Sequence, residues 1–371
     1  MLEADFSGGR PLSSSPRRRL VLAAALLLVP CVAPAEEPAH EPAPAQAGHA
    51  LSPMFGYDPV PGLLLGAAYF FYPRAAEGWR GSVQAILSTR QLRTAGDAEV
   101  VGQRLWGDLS PRAAVAFSAF KGRYYGAGMG TEAGRWVTSD PLRADASLGV
   151  LYAISGATTL GLHARGGTVR DARAGDLEAF ARFAEGKVNG AFLGGRLELA
   201  HDTRDNPYST TSGGREVLWA EGYGLQAGAA SRRALAGLSV SRFVALRAPW
   251  LVLALRAEAG ASAGDRAYAT DFSLGGADLL RGYFGGRFRG EHEVAGSAEL
   301  RFPIWRAVSG AAFADAGRVW ARAAPGGRDV AVSGGGGIRI GLPPDRLVKL
   351  RFDVAFAPDQ WGLFFKFNEA F

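Results

Sequence analysis

The chain has 371 residues, 51 of them glycine, and a formal net charge of +6, with a mean hydropathy of +0.02. Beyond residue 35 it has no run of about 18 apolar residues, so no membrane-crossing helix is available there. The positive charge is spread along the chain with no nucleic-acid-binding motif, which argues against a nucleic-acid partner.

The elements begin with a targeting segment. Arg17, Arg18 and Arg19 precede an apolar run from Leu20 to Val29, and Ala33-Pro34-Ala35 offers small residues to a signal peptidase. Residues 1–35 therefore read as a secretory signal, too short to span a bilayer as a stable helix. Cys31 is the sole cysteine, so cleavage after Ala35 leaves a mature chain without thiols. That suits passage through an oxidising compartment. Residues 36–50, rich in Pro, Ala and Glu, read as a flexible tether.

From 51 to 371 the composition does not change, and strand periodicity dominates. Sixteen strands are expected near 51–58, 62–72, 79–90, 97–108, 111–123, 140–154, 157–170, 187–202, 213–226, 232–247, 249–262, 289–305, 308–321, 328–341, 346–357 and 361–371. The alternation is cleanest late in the chain. Leu350, Phe352, Val354 and Phe356 alternate with Lys349, Arg351, Asp353 and Ala355. Val294, Ala298, Leu300 and Phe302 alternate with Ala295, Ser297, Glu299 and Arg301. One greasy face and one charged face exclude a sandwich core and fit a sheet between lipid and a polar lumen. The fold expected is all-β: an antiparallel transmembrane barrel of sixteen strands over 51–371, with both termini on the periplasmic side. Longer connections near 171–186, 263–288 and 321–328 then face outward.

Three segments carry more than periodicity. His201-Asp-Thr-Arg-Asp-Asn-Pro207, followed by Gly213-Gly214, has turn chemistry, with Asp202, Arg204 and Asp205 placed to cross-link it. Leu274-Gly-Gly-Ala-Asp-Leu-Leu-Arg-Gly-Tyr283 lies in a long connection. The chain closes on Gln360-Trp-Gly-Leu-Phe-Phe-Lys-Phe367 and Phe371, with Trp361, Leu363, Phe365, Phe367 and Phe371 on one parity, broken only by Glu369.

These segments resemble the barrel of the BamA/TamA family of outer-membrane assembly factors. That family includes two-partner secretion transporters and chloroplast import channels. The hallmark is the loop motif Leu280, Arg281, Gly282 and Tyr283. The resemblance implies that this long extracellular loop folds back into the lumen and that Arg281 pairs with Glu299 and Asp315. Their parity also points both acids inward. An enclosed guanidinium, with five donors and a permanent charge, needs such carboxylates. The closing strand resembles the family's assembly signal, carried here by Gln360, Gly362, Phe365, Phe367 and Phe371. Residues 36–50 leave no room for the periplasmic POTRA domains of the assembly factors, so the likeness is to a short branch of the family.

No enzyme is expected: no Gly-any-Ser-any-Gly elbow occurs, and His40, His49, His163, His201 and His292 have no metal-ligand spacing. No catalytic residue, metal or cofactor is assigned. The function implied is insertion or export of proteins through a weak seam between the first and last strands. Pro53, which cannot donate to a ladder, and Gly362, which lets a strand bend, mark that seam. The partners implied are outer-membrane lipid, the barrel-assembly machinery during biogenesis, and a client or accessory periplasmic protein. The alternatives are a passive pore or structural barrel without client handling, and a lipid-handling barrel.

Overall fold

A computed structural model describes residues 49–371 except 59, 72–77, 133, 172–189, 208, 228, 248–250, 267–269, 322–328, 342–348 and 368. The expected signal and nearly all of the expected tether lie outside the described residues. His49 and Ala50, assigned to the tether, already belong to the first strand.

The barrel wall runs β1 (His49–Asp58), β2 (Gly62–Phe71), β3 (Gly78–Ser88), β4 (Arg93–Gln103) and β5 (Leu109–Ser118). A connection carrying β6 (Gly122–Tyr124) and β7 (Val137–Ser139) follows. The wall resumes with β8 (Pro141–Ala153), β9 (Thr158–Asp171), β10 (Gly190–Asp202), β11 (Gly213–Ala227), β12 (Ala229–Arg247) and β13 (Leu251–Gly264). A second long connection carries β14 (Phe272–Leu274) and β15 (Phe288–Gly290). The wall ends with β16 (His292–Trp305), β17 (Val308–Trp320), β18 (Ala331–Gly341), β19 (Lys349–Phe356) and β20 (Trp361–Phe367). Sixteen antiparallel strands close into one barrel with β1 beside β20, while β6–β7 and β14–β15 form separate two-stranded ribbons. With an even number of strands, both described termini lie at one end of the barrel.

The alternation of side chains does what the sequence pattern requires. On β10, Leu193 and Leu197 face out, while Arg196 and Glu198 face in and bond at 2.9 Å. On β19, Phe352, Val354 and Phe356 face out, while Arg351, Asp353 and Ala355 are buried. An apolar belt running around a whole barrel is stable only against lipid. Trp305 and Trp361 are exposed at opposite ends of the wall, as an aromatic girdle requires. Trp320 instead stacks on His292, with ring centroids 5.4 Å apart.

Several boundaries differ from the sequence reading. The strands expected at 97–108 and 111–123 are Arg93–Gln103 and Leu109–Ser118. A tight turn with Arg104 at positive φ separates them. The strand expected at 289–305 begins at His292, because Phe288–Gly290 pairs with Phe272–Leu274 in the ribbon. The last strand ends at Phe367 rather than 371. Phe371 therefore does not continue the outward face; its ring packs against Phe243 inside the barrel.

Candidate functional site: the lumenal loop and the closing strand

The connection between β13 and β16 turns into the barrel. Arg281 is fully buried. Its backbone N and its Nε donate to Asp315 Oδ2 at 2.9 Å each, and Nη2 donates to Asp315 Oδ1 at 2.8 Å. Nη1 donates to Glu299 Oε2 at 2.6 Å, and Nη2 to Ser297 Oγ at 3.0 Å. The guanidinium lies 3.4 Å from the Phe313 ring centroid. Burial loosens the Arg281 proton, but the bonds to Asp315 and Glu299 outweigh it and hold the guanidinium above its ordinary pKa. Two acids and a hydroxyl on neighbouring strands thus match a planar fork of donors.

Around the fork the loop packs like a core. Leu274, Leu279, Leu280, Tyr283 and Phe288 form a buried cluster with Ala295, Val319 and Ala331 of the wall. Glycines make the room. A Cβ at Gly317 would sit 2.9 Å from Leu274 and 3.1 Å from Leu280, and one at Gly335 would sit 2.8 Å from the Phe313 ring. Leu280 holds positive φ, and Gly282 has φ +100°. At Gly282 any Cβ would also press on the β19 backbone, 3.1 Å from the Phe356 carbonyl carbon.

The network extends beyond the residues expected from sequence. Glu299 also accepts from Arg301 at 2.8 Å and lies 3.4 Å from Arg339. Asp353 accepts from Arg339 at 2.5 Å and lies 3.6 Å from Arg281. The alternation had placed Arg351 and Asp353 on the inner face without giving them a role. Asp278 of the loop reaches the last strand, accepting from Lys366 at 2.6 Å and from Arg351 at 2.8 Å. Burial raises the Asp278 carboxyl, but Lys366 and Arg351 outweigh it and leave the group below the ordinary carboxylate range.

The closing residues divide in two. Gln360 precedes β20 and takes a 3.4 Å hydrogen bond from the Phe284 backbone of the loop. Phe365 faces Tyr57 in the one registered pair between β20 and β1 among the described residues, and its ring lies 6.2 Å from Phe55 and 4.3 Å from Phe352. Phe367 pairs with Leu350 in the β19–β20 ladder. The space at Gly362 is taken by the Phe364 ring, 2.7 Å from where a Cβ would stand, with Gly282 Cα 3.7 Å away. Phe364, an apolar residue on the inner face, is buried against Phe313, Ala355 and Ala277. Pro53 pairs with Ala67 of β2, so the seam contact lies at Tyr57, four residues further on. The structure thus brings Leu280, Arg281, Gly282, Tyr283, Glu299 and Asp315 together, sets Gly362 beside them, and leaves Pro53 apart.

The first long connection joins the same assembly. Gly128 N donates to Arg289 O at 2.7 Å, Met129 packs on the loop cluster, and Arg287 lies over the Tyr125 ring at 4.6 Å. At the end bearing the termini, Asp202 holds Arg204 at 2.9 and 2.7 Å. There Asp205 accepts from Thr211 N at 3.0 Å, and Gly213 takes positive φ. His201 contacts Thr158 Oγ1 at 2.9 Å.

A family model for the Omp85 superfamily domain matches residues 118–368. Among solved structures, BamA from Haemophilus ducreyi lacking POTRA domains 1–3 aligns with TM-score 0.60 and 16% identity, covering 87% of this chain and 70% of that one. CdiB from Acinetobacter baumannii aligns with TM-score 0.58 and 14% identity over 86% and 59%. CdiB from Escherichia coli aligns with 0.59 and 14% over 85% and 62%. The chain thus spans about three fifths of the CdiB structures. At these identities the likeness is one of fold. No curated protein matches the sequence.

Proposed function

The chain belongs to the Omp85 superfamily, and from that premise we propose that this outer-membrane barrel takes part in insertion or export of proteins, by opening sideways between β1 and β20. The carrying observation is the closure itself. Neighbouring walls are registered along their length, from His49↔Phe71 to Asp58↔Gly62 for β1–β2 and from Leu350↔Phe367 to Phe356↔Trp361 for β19–β20. Among the described residues, the β1–β20 closure has the one pair Tyr57↔Phe365. A strand edge with few ladder bonds is the one a client strand can join by β-augmentation. In this reading both termini face the periplasm and the loop end faces the outside. The partners are outer-membrane lipid, the assembly machinery that folds the barrel, and a client or accessory protein. No catalytic step is involved.

The test locks the seam. Tyr57→Cys with Phe365→Cys, in a chain with Cys31→Ser, places two cysteines at facing positions, where a disulfide forms only with α-carbons within about 7 Å. Oxidation should abolish surface display of the client and reduction should restore it. Full activity of the locked barrel replaces this reading with a passive pore or structural barrel.

A further inference from the structure

Past Phe367 the chain leaves the sheet and enters the lumen at the end bearing the termini. Glu369 accepts from Arg339 Nε at 2.9 Å and Lys349 Nζ at 3.0 Å, with Arg301 at 3.8 Å. The Ala370 carbonyl accepts from Arg256 at 3.2 Å, and the Phe371 main-chain oxygen from Arg301 at 3.1 Å. The Phe371 ring lies 6.0 Å from Phe243, 5.9 Å from the Arg256 guanidinium and 5.5 Å from that of Arg301. Ala370 between them is buried.

Two features make this a built site. The groups that hold the tail stand on five strands, β12, β13, β16, β18 and β19, so the wall and not the tail sets their positions. Each of the two arginines that grip the main chain is also steadied by an acid, Arg256 by Glu258 at 3.0 Å and Arg301 by Glu299 at 2.8 Å. Preorganised cations cost little entropy on binding. Among the described residues of the tail, Glu369, Ala370 and Phe371 are in no strand. Side-chain contacts hold them, and any segment with the same pattern can make those contacts.

We propose that Phe243, Arg256, Arg301, Arg339 and Lys349 form a peptide-binding site for an acid–small–aromatic segment, occupied in cis by Glu369–Phe371 and open to the same pattern on another polypeptide. This rests on the reading that the barrel handles clients, and it names the chemistry of the client segment. Arg339 and Lys349 read the carboxylate, Arg256 and Arg301 read the main chain, and Phe243 with the two guanidinium faces reads the ring. Occupation in cis keeps the site shut until a competing segment displaces the tail that follows the last strand.

The probe is a fluorescein-labelled pentapeptide of residues 367–371, Phe-Asn-Glu-Ala-Phe, added to the purified full-length barrel in detergent. Glu369→Ala with Phe371→Ala empties the site in cis. That variant should bind the peptide roughly tenfold tighter than the unsubstituted barrel, a difference of about 1.4 kcal/mol. A peptide with Lys in place of Glu should not bind, and salt should weaken the interaction. Equal binding by the two barrels, none by either, or indifference to the Glu-to-Lys change overturns the proposal. If the double variant fails to fold, Ala370→Cys with Cys31→Ser serves instead. Its thiol should react slowly with maleimide and faster under excess peptide but not under the Lys peptide; an unchanged rate overturns the site. Peptide binding by a barrel that stays fully active when its seam is locked removes the client-handling reading and leaves the site standing.

Discussion

Two stretches of the same wall are held by different means. From β16 to β19 the strands share long ladders, and their inner faces carry Glu299, Arg301, Asp315, Arg339, Arg351 and Asp353 in one buried ionic network. Where β20 meets β1, the ladder among the described residues is Tyr57↔Phe365, and the inner support comes from the loop: Asp278 on Lys366, Gly282 against Gly362, and Phe284 on Gln360. Ladder bonds are distributed and hard to undo together. A loop is one element and can move as one. In the proposed function, opening falls at β20, and the loop is the brace whose release comes first.

The largest test of that contrast removes the brace at its root. Arg281→Ala leaves Glu299 and Asp315 buried with one fewer cation. Breaking such an enclosed pair costs about 3–5 kcal/mol. New protease cuts should appear between Asp265 and Gly290, and the thermal transition of the barrel should fall. Arg281→Lys should rescue only in part, because an ammonium lacks the planar fork that reaches Asp315, Glu299 and Ser297 together. An alanine variant with unchanged protease resistance and melting contradicts the anchored loop.

How far the sequence could be read follows from what a period of two encodes. It encodes which face a residue takes, so the inward placement of Glu299 and Asp315 and the outward belt were legible. It does not encode register between strands. Arg339, which follows the glycine run 334–337, could not be matched to Asp353 on the next strand, nor Asp278 in the loop to Lys366. The glycines were themselves a signal: Gly335 and Gly337 stand where a Cβ would meet the Phe313 ring and the Asp353 carboxylate. Periodicity also does not say where a strand leaves its sheet. Glu369 looked like a break in a lipid face, whereas it marks the point at which the tail has turned in to Arg339 and Lys349. The loop motif, lacking any period, was legible only through family resemblance.

A smaller effect separates the fold of the loop from its charge. Gly282→Ala keeps every ionic partner but forces a side chain into φ +100° and against the β19 backbone. Strain of this kind costs about 1–3 kcal/mol. Because the clash falls between the loop and the closing strands, the variant should weaken the seam before the wall. Oxidative cross-linking between Tyr57→Cys and Phe365→Cys should become slower or less complete, while the protease pattern within β16–β18 stays as it is. Unchanged cross-linking would mean that the loop and β20 are not coupled through this contact.

The smallest effect is the most specific to the brace. The Asp278–Lys366 pair is partly exposed, with side chains 44% and 46% accessible, so its loss costs only about 0–1 kcal/mol. Its pH dependence has a definite sign. Lys366 and Arg351 hold the folded carboxyl below its ordinary value. The contribution is therefore complete above the unfolded carboxylate pKa of about 4 and is lost as the pH falls through the lower folded value. Acidification below about pH 4 should loosen β20 in the unsubstituted barrel, read as faster hydrogen exchange from Trp361 to Phe367 relative to β17. Asp278→Asn, which cannot titrate, should show that faster exchange already at neutral pH and lose its share of the acid response. If β20 and β17 respond alike in both proteins, the loop braces the whole wall rather than the closing strand, and the contrast between the two stretches fails.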